Sequence, residues 1–107
     1  MEKIILATTE TVPGHEIAEI LGIARGSTVR SRHIGRDITA VFKGVVGGEI
    51  SEYTKLQAAA REQALQRMAE DALSHGADAV VGVRITTAMI MAGAAEVAAY
   101  GTAVKLR

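Results

Sequence analysis

With no cysteine in the chain, thiolate ligation is unavailable, and histidine must supply the imidazoles that any transition-metal site would need. His15, His33 and His75 are not spaced to converge, because no two stand at i, i+3 or i+4. Each has a single carboxylate close by in sequence: Glu16 beside His15, Asp37 four residues after His33, and Asp71 four before His75. One imidazole and one carboxylate fall short of the ligand number a metal site requires. A divalent transition metal therefore becomes a candidate only where copies of the chain meet around an axis. Within one chain His15 reads as a turn residue, His33 as a strand residue and His75 as a helix C-terminal residue. Met68, Met89 and Met91 occupy core-like positions and add no ligands.

A second group is basic. Arg25, Arg30, Arg32 and Arg36 fall close together with His33 among them, and Arg30 and Arg32 share a face of an extended strand. Such a patch suits a phosphate or carboxylate, which guanidinium binds in bidentate fashion. Gly44 to Gly48, GVVGG, precedes a long helical run, and backbone N–H groups at a helix start bind anions. Together Arg30, Arg32, Arg36, Gly47 and Gly48 outline a module for small anions or phosphorylated metabolites. The competing reading is structural: the arginines pair with Glu49, Glu52 or a neighbouring copy's acids, and Gly47 and Gly48 make a tight helix–helix turn. The structural reading is favoured, because positive and negative residues balance at 12 each and no nucleotide-binding glycine fingerprint is present.

Nucleophilic catalysis has less support. No nucleophile-elbow pattern surrounds Ser27, Ser31, Ser51 or Ser74, and Tyr53 and Tyr100 read as amphipathic packing residues. No catalytic residue is assigned, and the chain is read as a non-enzyme. Aromatic residues are 3% of the chain, too few for a stacking platform, so nucleic acid is not expected as a partner. The absence of a long apolar run argues against a membrane span, and the absence of cysteine fits a reducing, cytoplasmic setting.

The elements that must position these residues follow from periodicity. Lys3 to Thr8 is apolar on both faces and reads as a short buried strand. Pro13-Gly14 fits a type II turn. His15 to Leu21, with Ile17, Ile20 and Leu21 at helical spacing, predicts a short helix ended by Gly22. Ile23 to Ile34 predicts a strand, bent near Arg25-Gly26. From Arg36 a second short helix is expected, with Ile38, Val41, Phe42 and Val45 along one stripe. Ile50 to His75 contains neither Gly nor Pro and predicts the long helix, capped by Gly76. Its Leu65, Met68, Ala69, Ala72 and Leu73 form a stripe toward a sheet, while Ala58, Ala59, Ala60 and Ala64 leave room for a second subunit. Asp78 to Met91 alternates, with Val81, Val83, Ile85, Met89 and Met91 on one side. Ala92-Gly93 turns the chain, and Glu96 to Leu106 returns as its partner strand. The whole reads as one α+β domain over residues 1–107: a small, mostly antiparallel sheet with one long helix across a face and two short helices.

The stretches TVPGHEIAEILGIARGSTVRSRHIGRDI, VGGEISEYTKL, AREQAL, GADAVVGVRI and AAYGTAV, in that order, resemble the YbjQ-like family of small bacterial and archaeal proteins. The resemblance runs from about Thr8 to Val104. It implies an α+β, dodecin-like layer that assembles with copies of itself into a ring, a pentamer or a pair of pentamers. It also implies heavy-metal binding, and it brings no catalytic residues to carry over. The aromatic-poor composition and zero formal charge agree with self-association.

Overall fold

The structure, a computed structural model, describes residues 3–31, 48–91 and 94–107, with side chains described over 3–30, 57–91 and 94–107. Its elements are β1 (Ile5–Leu6), β2 (Ile17–Ser31), α1 (Gly48–Ser74), β3 (Ala79–Met91) and β4 (Ala94–Leu106). The four strands form one sheet in the order β1-β3-β4-β2. β2 and β4, and β3 and β4, pair antiparallel, whereas β1 runs parallel to β3. The expected α+β class holds, but the parallel edge makes the sheet mixed. Long strands and a 27-residue helix draw the molecule out to 54 × 24 × 24 Å.

The predicted helix over His15–Leu21 is instead the start of β2. Register irregularities fall between Ile17 and Glu19 and between Ile20 and Gly22 as β2 pairs with the end of β4. A bulge inserts a residue and changes which face the next side chain takes. That insertion mimics the three- and four-residue spacing of a helix. Gly22, at φ 117°, is a bulge residue within the strand rather than a helix terminator. The predicted bend at Arg25-Gly26 is absent from the β2–β4 register, which is regular there. The second short helix expected from Arg36 lies outside the described residues.

Gly26 has a different purpose. A Cβ on it would collide with the Met68 amide nitrogen and stand 2.5 Å from the Ala64 carbonyl oxygen. The backbones of β2 and α1 are thus in direct contact, and only hydrogen fits between them. Ala60, Ala64, Met68 and Ala72 follow at intervals of four along α1 and are all buried against Ala24, Val80, Val83, Val97, Ala99 and Ala103. Ala60 and Ala64 therefore serve the chain's own core rather than a second subunit, and Leu65 is half-buried at its margin.

The Pro13-Gly14 turn is as predicted: Gly14 has φ 83° and the His15 amide donates to the Val12 carbonyl at 3.0 Å. The turn lays Val12 over the sheet's other face, against Ala79, Val81 and Val104. At the end of α1, Gly76 (φ 79°) completes a Schellman cap. Its amide donates to the Leu73 carbonyl at 3.0 Å and the Ala77 amide to the Ala72 carbonyl at 3.1 Å.

β3 departs from simple alternation. Gly82 takes φ 63° and the register with β4 shifts between Val81 and Arg84. Val81 consequently packs under Val12 while Val83 packs under α1, on opposite faces. The β3–β4 hairpin forms as expected, with Ala92 and Gly93 outside the described residues. Met89 and Met91 are not core residues of this chain: they are 81% and 61% exposed. α1 lies over β2 and β4 and does not reach them.

Candidate functional site

The described chemistry-bearing side chains gather in two places. One is the end of the molecule where α1 stops. His75 occupies the C-cap position, and its Nδ1 lies 2.8 Å from the Asp71 carbonyl oxygen. A carbonyl can only accept, so Nδ1 carries a proton in this bond, and in the neutral ring Nε2 is the nitrogen with the lone pair. Ser74 Oγ donates to the same carbonyl at 2.6 Å. Although Ser74 Oγ is only 3.4 Å from His75 Nδ1, the pair is no nucleophile and base, because both groups already donate elsewhere. The Asp71 carboxylate is 3.8 Å from the same ring nitrogen but is also held by the β2 backbone: Oδ2 accepts from the Arg25 amide at 3.0 Å.

Below this cap, His15, Lys3, Asp78, Leu73, Ala77 and Leu106 border an open cleft of about 550 Å³. Asp78 is engaged there as a sheet anchor. Its Oδ2 accepts the Leu106 amide at 2.9 Å and its Oδ1 faces Lys105 Nζ at 4.0 Å. Glu16 meets the Arg107 guanidinium at 3.8 Å, and its carbonyl accepts the Arg107 amide. The fold brings His15 and His75 to the same end of the molecule. It does not bring enough donors with them: among the described residues, no three His, Asp or Glu are grouped to hold a metal ion. The described donors of one chain do not fit a metal centre. His33 lies outside the described residues.

The second place is the seam between α1 and the free edge of β2. Gln63 Oε1 accepts from both the buried Thr28 hydroxyl and Arg30 Nη2, each at 2.9 Å. One turn on, Arg67 Nη1 donates to the Ser27 carbonyl at 2.6 Å, and one turn further Asp71 takes the Arg25 amide. Gln63, Arg67 and Asp71 stand at i, i+4 and i+8, one polar flank beside the alanine stripe. They occupy backbone groups that an edge strand otherwise leaves open to pairing. This seam was missed in the sequence, although its spacing of four was visible. Arg30, singled out for anion binding, is half-buried and committed to Gln63. Arg32, Arg36 and Gly47 lie outside the described residues, and Gly48 is the first residue of α1.

Comparison with known proteins decides the family. The YbjQ family model, described as "Putative heavy-metal-binding", matches residues 4–107. The chain belongs to the YbjQ family. It is 61% identical to a UPF0145 protein of Archaeoglobus fulgidus over 108 residues, covering 100% of each chain. It is 58% identical to a UPF0145 protein of Methanosarcina acetivorans, over 95% of this chain and 96% of that one. A Pediococcus pentosaceus protein of unknown function, described as belonging to the DUF74 family, superposes with a TM-score of 0.65 over 97% of this chain and 98% of that one. At 14% identity that likeness speaks for the fold. No helix among the described residues is long and apolar enough to cross a membrane.

Proposed function

We propose that this YbjQ-family protein is a non-enzymatic, cytoplasmic homo-oligomer that closes into a ring and holds heavy metal only where copies of the chain meet. The observation that carries the assembly is an inversion of side-chain size. Among the described residues the buried apolar side chains are all Ala, Val or Met, while Ile5, Ile17, Ile20, Ile23, Ile85 and Ile90 are exposed. A soluble monomer normally keeps its largest aliphatic side chains inside.

Surface area and shape support the same reading. The chain exposes 7300 Å², whereas a compact monomer of its mass exposes about 5,700 Å². Its radius of gyration is 17.0 Å, against about 13 Å for a compact chain of this length. Metal binding rests on the family's description and on His75, whose hydrogen bond to Asp71 leaves Nε2 ready to ligate. One chain's described donors are too few, and the proposed ring supplies further ligands from a neighbouring copy.

Native mass spectrometry of the wild-type protein, with calorimetric titration of Zn²⁺, Cu²⁺ and Ni²⁺, tests both parts. A ring-sized mass and a binding heat that His75→Ala removes are expected. A monomeric mass at micromolar concentration ends the assembly reading. Absence of heat with all three ions, or heat unchanged when His15, His33 and His75 are all Ala, ends the metal reading.

A further inference from the structure

Among the described residues, two apolar surfaces remain exposed on opposite sides of the sheet. Ala24 faces α1 and Thr28 bonds to Gln63, so alternation turns Ile23 and Val29 of β2 to the other side. Tyr100 follows the buried Ala99 on β4 and also faces away from the helix. Ile20, 69% exposed, and Ile23, 65% exposed, stand beside the patch that Val12 covers and continue it as uncovered surface. On the helix side, α1 stops short of β3. Leu6, Leu65, Val83 and Ile85 there line an open groove of about 420 Å³, with Thr8 and Arg84 at its border. The strand continues past it to the exposed Met89.

We infer that these surfaces are the two halves of a single head-to-tail contact, the Ile20–Ile23–Tyr100 face of one copy seating on the Leu6–Leu65–Ile85 groove of the next. This inference rests on the assembly proposed above and names the surfaces that make it. Three observations favour a second copy as the occupant. First, the surfaces differ in form: one is a flat sheet face, the other a groove between helix and strand. Second, the flat face resists pairing with itself. Arg25, Tyr100 and Arg84 lie side by side in one cross-strand row. The Arg84 guanidinium is tied to the Thr8 and Val83 carbonyls, but a two-fold axis along this row sets Arg25 of one copy against Arg25 of the other, and like charges directly opposed repel.

Third, the exposed area suffices. The surface of the whole chain exceeds that of a compact monomer by about 1,600 Å². That is room for two contacts of about 800 Å² each, the usual share of one partner in a stable interface. A heterologous contact uses each surface once per copy, and it closes into a ring when its rotation divides the circle.

The cysteine-free chain allows a direct test by crosslinking. Ile23→Cys and Ile85→Cys are made singly and together in the full-length protein, then treated with a short bis-maleimide. The double variant is expected to give a ladder of covalent multiples on a denaturing gel, and each single variant to stay at monomer mass. Dimers from Ile23→Cys alone overturn the inference in favour of an isologous face. An uncrosslinked double variant whose native mass still equals that of the assembled wild type overturns it too, while the assembly reading stands. A monomeric wild type removes both. In a second arm, Ile23→Asp is expected to run as a monomer with an unchanged far-UV circular dichroism spectrum. Retention of the wild-type mass by Ile23→Asp counts against the contact.

Discussion

The half of the sheet that α1 covers and the half it leaves open are built from different side chains. Under the helix, Ala24, Gly26, Ala60, Ala64 and Ala99 bring backbones together, and Met68 is the largest side chain in the space that remains. Beyond the helix and on the opposite face, isoleucines and methionines stand in the open. Small residues set the distance between helix and sheet, so the covered half gains its stability from closeness rather than from area per residue. Among the described residues, the larger aliphatics are placed where α1 does not cover them. The contrast implies two separate sensitivities: substitutions in the covered half act on folding, and, on the proposed assembly, substitutions in the open half act on association.

The largest effect expected is at Gly26. Gly26→Val drives a branched side chain into the α1 backbone, which cannot move aside as a side chain could. Loss of the cooperative unfolding transition is expected in urea titration; a wild-type midpoint would break the comparison at its strongest point. Met68→Ala leaves a cavity at a fully buried site and is expected to cost about 3 kcal/mol. Thr28→Val removes one of the two donors to Gln63 while Arg30 keeps that oxygen occupied, so a cost of about 1 kcal/mol is expected by the same titration. Smallest is Ile23→Ser. At a dilution where the chain is monomeric it is expected to change stability by under about 0.5 kcal/mol, while weakening association at micromolar concentration. A folding penalty comparable to that of Met68→Ala would show that Ile23 belongs to the chain's own core.

Much of the architecture was legible. The glycine- and proline-free run ending at Gly76 gave the long helix to within two residues at its start and one at its end, the end because a left-handed C-cap is nearly a glycine signature. Pro13-Gly14 gave its turn for a similar reason. The errors share a cause. At Ile17–Gly22 and again at Val81–Arg84, a bulge changes the face to which side chains point, and periodicity carries no mark of an inserted residue. The candidate site was less legible. Histidines are conspicuous in a chain without cysteine, but ligand number depends on what lies beside them in space. For His15 and His75 the described neighbours are carboxylates already engaged by backbone amides, guanidinium or ammonium groups.

By itself the sequence determined the α+β class, the long helix, the β3–β4 hairpin and the family, since these depend on local conformation and on the order of short motifs. Only the tertiary structure decided which apolar residues are core. Ala60 and Ala64 carry little apolar area and were assigned to a neighbour; they are buried because Gly26 lets the helix settle onto β2. Met89 and Met91 look like core residues and are exposed, because α1 lies over β2 and β4 and leaves that end of β3 uncovered. Hydrophobicity says which side chains gain by leaving water, and the position of α1 on the sheet decides which of them it covers.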